Sequence, residues 1–216
     1  MTSYRYEDDE QTRRRILEVA GARFLAHGFS STTMDRLATE LGMSKKTIYR
    51  FWGSKTDLVR EYVNMRLARV GTHIEAVFAA ADLSVVERFS GILELVAQQL
   101  SAIGEAFLED LSRHAPEVWR DIEDFRERMV FSRIAGLIEE GIREGVVHPD
   151  IRPAVVARLI ATAARRLVTP DSLRELDIAP TAAIETLKRL LYGGLFTGEA
   201  RARIEEKEHS NAHEDE

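Results

Sequence analysis

The residues with the most chemistry to offer sit close together: Ser44, Lys45, Lys46, Thr47, Tyr49, Arg50 and Lys55. Four cations can neutralise phosphates, and three hydroxyls can donate to phosphate oxygens. Lysine and arginine also reach the acceptor edge of guanine in a major groove. Thr33, a little upstream, adds a further hydroxyl. The surrounding charge has the same sense. Ten basic residues stand against four acidic ones between Gln11 and Arg60, a net +6, although the 216-residue chain carries −6 overall. A basic module on an acidic body suits a phosphate-binding head, whereas the same cluster could also be solvated arginines and nothing more.

Other chemistries find no constellation. There is no cysteine, which excludes disulfides, a thiol nucleophile and cysteine-ligated metals. Gly53-Ser54-Lys55 lacks the preceding glycine of a phosphate-binding loop, and neither Gly-x-Ser-x-Gly nor a strand-borne Gly-x-Gly-x-x-Gly occurs. His209 and His213 are four apart but lie in a charged tail, so they read as solvated residues and no metal or cofactor is expected. No apolar run approaches the ~18 residues of a membrane span, and the acidic, polar start is unlike a secretory signal. A cytoplasmic, non-enzymatic protein is the expectation.

The elements that would position these residues are helical. Apolar residues recur at Ile16, Leu17, Ala20, Phe24 and Leu25, stopping at Gly28. Thr32-Thr33-Met34-Asp35 reads as a capping box, opening a helix that ends at Gly42. Ser44 caps a third helix as far as Trp52, and Ser54-Lys55-Thr56-Asp57 caps a fourth, long one. Lys55 is expected to face a phosphate together with the exposed N–H groups of that helix. Further stripes follow after Ser84, Pro116, Pro153 and Thr181, with a short piece after Pro170 and no useful strand alternation. The fold class is all-α. Residues 1–10 are expected as a disordered arm, 11–55 as a three-helix helix-turn-helix domain, 56–204 as a second helical domain and 205–216 as a charged tail.

Two helices joined by a tight Gly42-Met43 turn allow the second to enter a major groove. The stretch Phe24-Leu-Ala-His-Gly28-Phe-Ser-Ser-Thr-Thr33-Met-Asp-Arg-Leu-Ala38-Thr-Glu-Leu-Gly42-Met-Ser44-Lys-Lys-Thr47-Ile-Tyr49-Arg-Phe-Trp52-Gly-Ser-Lys55-Thr-Asp-Leu58 closely resembles the DNA-binding domain of TetR-family transcriptional regulators. The resemblance covers roughly residues 10–69. It implies a supporting helix over Gln11–Gly28, a positioning helix over Thr33–Leu41 and a recognition helix over Ser44–Trp52. By position, Thr33, Ser44, Tyr49 and Lys55 would contact phosphates, and Lys45, Lys46, Thr47 and Arg50 would make base or mixed contacts. Family members often have histidine or tyrosine where Phe51 stands. Phe51 cannot donate to a phosphate, and Trp52 reads as a core plug.

The resemblance further implies a homodimer on double-stranded operator DNA, most simply a repressor released by a small, mainly apolar effector in the C-terminal bundle. A pocket is expected from Phe89, Phe107, Trp119, Phe125 and Met129, although such a stripe equally suits a core. A dimer interface is expected from Val156, Leu159, Ile160 and Ala163 with Leu187, Leu191 and Leu195, unless these stripes close the core of a single chain. Two other readings remain open at this point. One is an all-α scaffold or adaptor with an incidental basic end, and the other is a small all-α enzyme.

Overall fold

The computed structural model describes residues 2–103, 105–167 and 169–198. Ten helices run through these residues: α1 (Thr2–His27), α2 (Met34–Leu41), α3 (Lys45–Phe51), α4 (Lys55–Ala79), α5 (Val85–Ile103), α6 (Glu105–His114), α7 (Pro116–Arg143), α8 (Pro153–Leu167), α9 (Pro170–Leu176) and α10 (Pro180–Leu195). The expected tail at 205–216, with His209 and His213, lies outside the described residues. Residues 2–10, expected as a disordered arm, are instead the first turns of α1.

The chain divides into two compact units, Met1–Arg69 with Ile103–Glu123, and Val70–Ala102 with Asp124–Glu216. This corrects the boundary expected between residues 55 and 56. A local pattern of caps cannot show that α6 and the start of α7 return to the N-terminal unit.

In the first unit the core is built from Ile16, Ala20 and Phe24 of α1, Leu37 of α2, Ile48 of α3 and Leu58 and Tyr62 of α4, with the Phe24 and Tyr62 ring centroids 6.5 Å apart. Gly21 lets α1 and α4 approach. A Cβ there would lie 2.0 Å from the Tyr62 ring, so only hydrogen fits. Helix α6 completes this core with Phe107, whose ring stacks on Phe24 at 6.4 Å between centroids and 16° between planes.

The second unit takes its core from Ile74, Phe89, Ile92, Ile134, Leu137 and Ile138, joined by Ala157, Ile160 and Ile184. Ser84 caps α5 as expected, in a reciprocal box with Glu87. Arg88 is 8% exposed. Its guanidinium grips both oxygens of Glu140, at 3.0 and 2.5 Å, and donates to the Phe78 carbonyl. The chain after α10 folds back on the loop after α7. His148 N donates to Leu195 O and Thr197 N to Val146 O, with the Phe196 ring fully buried between those of Phe89 and Tyr192.

A candidate nucleic-acid interface

Helices α2 and α3 are too short to persist alone, so caps and packing must hold them. Thr33, rather than Thr32, is the N-cap of α2. Its Oγ1 accepts from Arg36 N, while the Thr32 hydroxyl turns back to the Gly28 carbonyl. Gly42 closes the helix in the left-handed region at φ 66°, with the Gly42 and Met43 amides donating to the last carbonyls of α2. Ser44 then caps α3 by accepting from Thr47 N at 3.1 Å. The buried faces are Met34, Leu37, Ala38 and Leu41 of α2 and Ile48 of α3.

With Ile48 inward, the exposed side of α3 presents Lys45, Lys46, Tyr49 and Arg50, and Thr47 is half-buried. Thr33 and Ser44 are exposed at the two helix starts. Thr33 only accepts in its cap bond, which leaves its hydroxyl proton to donate outward. Seven of the eight expected contact residues therefore lie on or at the N-terminal caps of the helix-turn-helix.

Lys55 does not join them. Its Nζ donates to the carbonyls of Phe29, Thr32 and Ser30 at 2.8, 2.9 and 3.4 Å and lies 4.2 Å from the Phe29 ring centroid. An ammonium has three protons, and all three are taken. Burial pushes its pKa down, with Asp110 opposing. The expected phosphate contact is therefore corrected to a fastening of the loop between α1 and α2. Asp110 of α6 holds the same loop, accepting from Ser30 N at 2.6 Å. Burial pushes the Asp110 carboxyl up, but the Ser30 amide and the His114 ring outweigh it and keep it below the ordinary value. His114, at the end of α6, lies 2.9 Å from Asp110 with its side chain 53% exposed.

Two of the three cations of α3 already hold carboxylates. Asp35 accepts from Lys45 Nζ at 2.8 Å and holds that ammonium above the usual lysine value. Arg50 donates to Asp9 of α1 at 2.5 Å and rests 4.7 Å from the Phe51 ring centroid. Lys46 is exposed and makes no ion pair among the described residues. Trp52 is buried as expected, and its indole N–H donates to Glu61, which Arg13 of α1 also grips. Asp9, Glu61 and Asp110 went unseen in the sequence, because their partners are far away along the chain. Recognising α1 as a longer helix would have exposed Asp9.

The expected ligand-pocket residues are divided between the two units. Phe107 and Trp119 belong to the first unit, where Phe107 is core. Phe89 packs on Tyr192 and Phe196, and Phe125 and Met129 pack beside Gly71. A cavity of about 450 Å³ in the second unit opens instead along α5 and α10, lined by Glu94, Gln98, Thr181, Ile184, Glu185 and Lys188. The expected interface also shifts. Ile160 and Leu195 are 1% and 2% exposed in their own core, while Val156, Ala163, Leu187 and Leu191 are half-buried. Leu159, with Val155 and Leu190, is open to solvent. Among the described residues no helix is long and apolar enough to cross a membrane.

Residues 16–62 match the model of the bacterial regulatory proteins, tetR family. Over 189 residues the chain is 25% identical to the HTH-type transcriptional repressor SCO4008 of Streptomyces coelicolor, covering 87% of this chain and 86% of that one. It is 22% identical to the HTH-type transcriptional regulator YvaF of Bacillus subtilis, covering 86% and 96%. Among solved structures, a transcriptional regulator of the TetR/AcrR family from Thermobifida fusca superposes with a TM-score of 0.65 at 23% identity, covering 84% and 96%. A regulator from Saccharomonospora viridis, solved in complex with choline, gives 0.68 at 20% identity, covering 87% and 99%. These two structures share the fold.

Proposed function

Because the chain belongs to the TetR family of transcriptional regulators, we propose that it is a homodimeric, cytoplasmic repressor of a pseudo-palindromic operator and no enzyme. The observation that carries the DNA contact is the exposed side of α3. There Lys45, Lys46, Tyr49 and Arg50 stand together on a helix fixed at both ends by its caps. Thr33 and Ser44 add hydroxyls that anchor phosphates, and Thr47 a partly covered contact. Direct readout falls to Lys46 and Arg50, which reach acceptor pairs on guanine. One recognition helix per chain reads one half-site, and a two-fold axis supplies the second.

The dimer is supported by Val155 and Leu159 of α8 and Leu190 of α10, which are 53%, 63% and 71% exposed. Large apolar side chains left open on α8 and α10 suit a self-complementary contact. Val156, Ala163, Leu187 and Leu191 flank it. The effector site is the cavity along α5 and α10, where Ile184 and Ala182 offer an apolar wall and Lys188 with Glu94 and Glu185 a polar end. A mainly apolar molecule with one polar group fits that lining. It would release DNA by favouring a conformation that binds operator poorly, so operator must weaken the binding of this ligand by the same factor.

Lys46→Ala tests the reading. On a duplex recovered by in vitro selection, the substitution is expected to weaken binding by about 1–3 kcal/mol and to relax preference at particular base pairs. Fluorescence anisotropy on the selected and on a random duplex measures both. Equal loss on the two would reduce Lys46 to a phosphate contact. No loss on either, with no sequence preference in the unaltered protein, would favour the scaffold or enzyme readings.

A further inference from the structure

An acidic residue of α1, Asp9, lies against the recognition helix, which is unexpected for a surface meant to meet phosphates. Asp9 Oδ1 accepts from an Arg50 guanidinium nitrogen at 2.5 Å, across 41 residues of chain. The approach is not incidental. One turn further along α1, Arg13 grips Glu61 Oε2 at 2.7 Å and stacks over Trp52, 5.8 Å from the ring centroid, while the Trp52 indole donates to the same Glu61 oxygen. Residues 9 and 13 share a helix face, so the hub at residue 13 aims residue 9 at the C-terminal end of α3. Both members of the pair are accessible, with side chains 45% and 57% exposed.

The geometry points to Asp9 as an autoinhibitory residue that competes with DNA for Arg50. The inference rests on the reading that Arg50 faces DNA. A backbone phosphate is an anion much like the Asp9 carboxylate, so on random DNA the pair can persist with little loss. A guanine presents two acceptors in one plane, O6 and N7, which a guanidinium can bond simultaneously. Arg50 therefore leaves Asp9 fully for the right base and only in part for an arbitrary phosphate. The cost of breaking the pair falls in full on the specific complex, so the Asp9 carboxylate lowers specific binding more than non-specific binding.

The test uses the full chain with Asp9→Asn, Asp9→Glu, Arg50→Ala and the double variant Asp9→Asn with Arg50→Ala. Affinity is measured by anisotropy on a selected and a random duplex over a range of salt. Because exposed ion pairs are weak, Asp9→Asn is expected to tighten selected-duplex binding by about two- to fivefold. The random duplex should gain less. Asp9→Glu should behave as the unaltered protein, and in the Arg50→Ala background Asp9→Asn should lose its differential effect. Equal or larger tightening of the random duplex, no change on either, weakening of both, or a differential effect that persists without Arg50 would each overturn the role of Asp9. Arg50→Ala leaving both affinities unchanged would remove Arg50 from the interface, a failure of the underlying reading that is visible independently of Asp9.

Discussion

Phe107→Ala lowers the free energy of unfolding by about 3–5 kcal/mol, the loss expected when a buried phenylalanine is emptied. The ring is 2% exposed and stacks on Phe24, itself fully buried, with Leu108 and Leu111 buried on the same helix. Its removal deletes the aromatic contact between α6 and α1 and leaves a void in a close-packed core. Had Phe107 lined an effector pocket, as its place in an aromatic stripe suggested, alanine would change ligand affinity and cost little stability. Denaturant unfolding followed by helical circular dichroism separates the two. A loss below about 1 kcal/mol would contradict its core position. The same variant should keep its sequence preference wherever it remains folded, since Phe107 is buried in the core and is not part of the exposed side of α3.

Arg88→Met is expected to cost a similar ~3–5 kcal/mol, for an electrostatic reason. The substitution preserves bulk but strands Glu140, whose side chain is 27% exposed and holds both oxygens on the Arg88 guanidinium. Adding Glu140→Gln should recover much of the loss, because no half-buried carboxylate then lacks a partner. The pH dependence carries a definite sign. Hydrogen bonds from Arg88 hold the Glu140 carboxyl below its ordinary value, against the opposing pull of burial. A carboxyl whose folded pKa is depressed stabilises fully above its unfolded value and loses that contribution as pH falls through the folded one. The stability difference between the unaltered protein and Glu140→Gln should therefore narrow below about pH 4.5. A gap that stays constant into acid would show that the pair does not act through the ionised carboxylate.

The helix-turn-helix was legible because its instructions are local. Gly42 and Ser44 each act on residues within a few positions, so the turn and the cap of α3 could be read from spacing, while the cap of α2 fell one residue later than spacing suggested, on Thr33. Thr2–Glu10 was not legible, since it has no apolar stripe. Part of what sustains α1 there is Asp9 meeting Arg50, a partner 41 residues away. Lys55 was misplaced for a related reason. Its sequence neighbours form a capping box, but its ammonium is claimed by carbonyls more than twenty residues earlier. The aromatic stripe misled because periodicity reports that a face is buried and says nothing of the core that receives it. Phe107 and Phe89 carry the same signal and serve different units. The Arg88–Glu140 pair joins two helices across 52 residues, which no local pattern encodes.

The return of the chain after α10 has a mechanical consequence. Two antiparallel hydrogen bonds and the Phe196 ring fasten residues 195–197 to residues 146–148. A tension applied at the C-terminal end meets this clasp before it reaches α10 or α8. The load must first break the His148–Leu195 and Thr197–Val146 bonds and draw Phe196 from between Phe89 and Tyr192. The helices held between the two ends of the clasp, among them those with the exposed Leu159 and Leu190, are thereby shielded from whatever is attached downstream. A fusion partner or an anchoring surface joined at that end would pull on the clasp and leave their packing undisturbed.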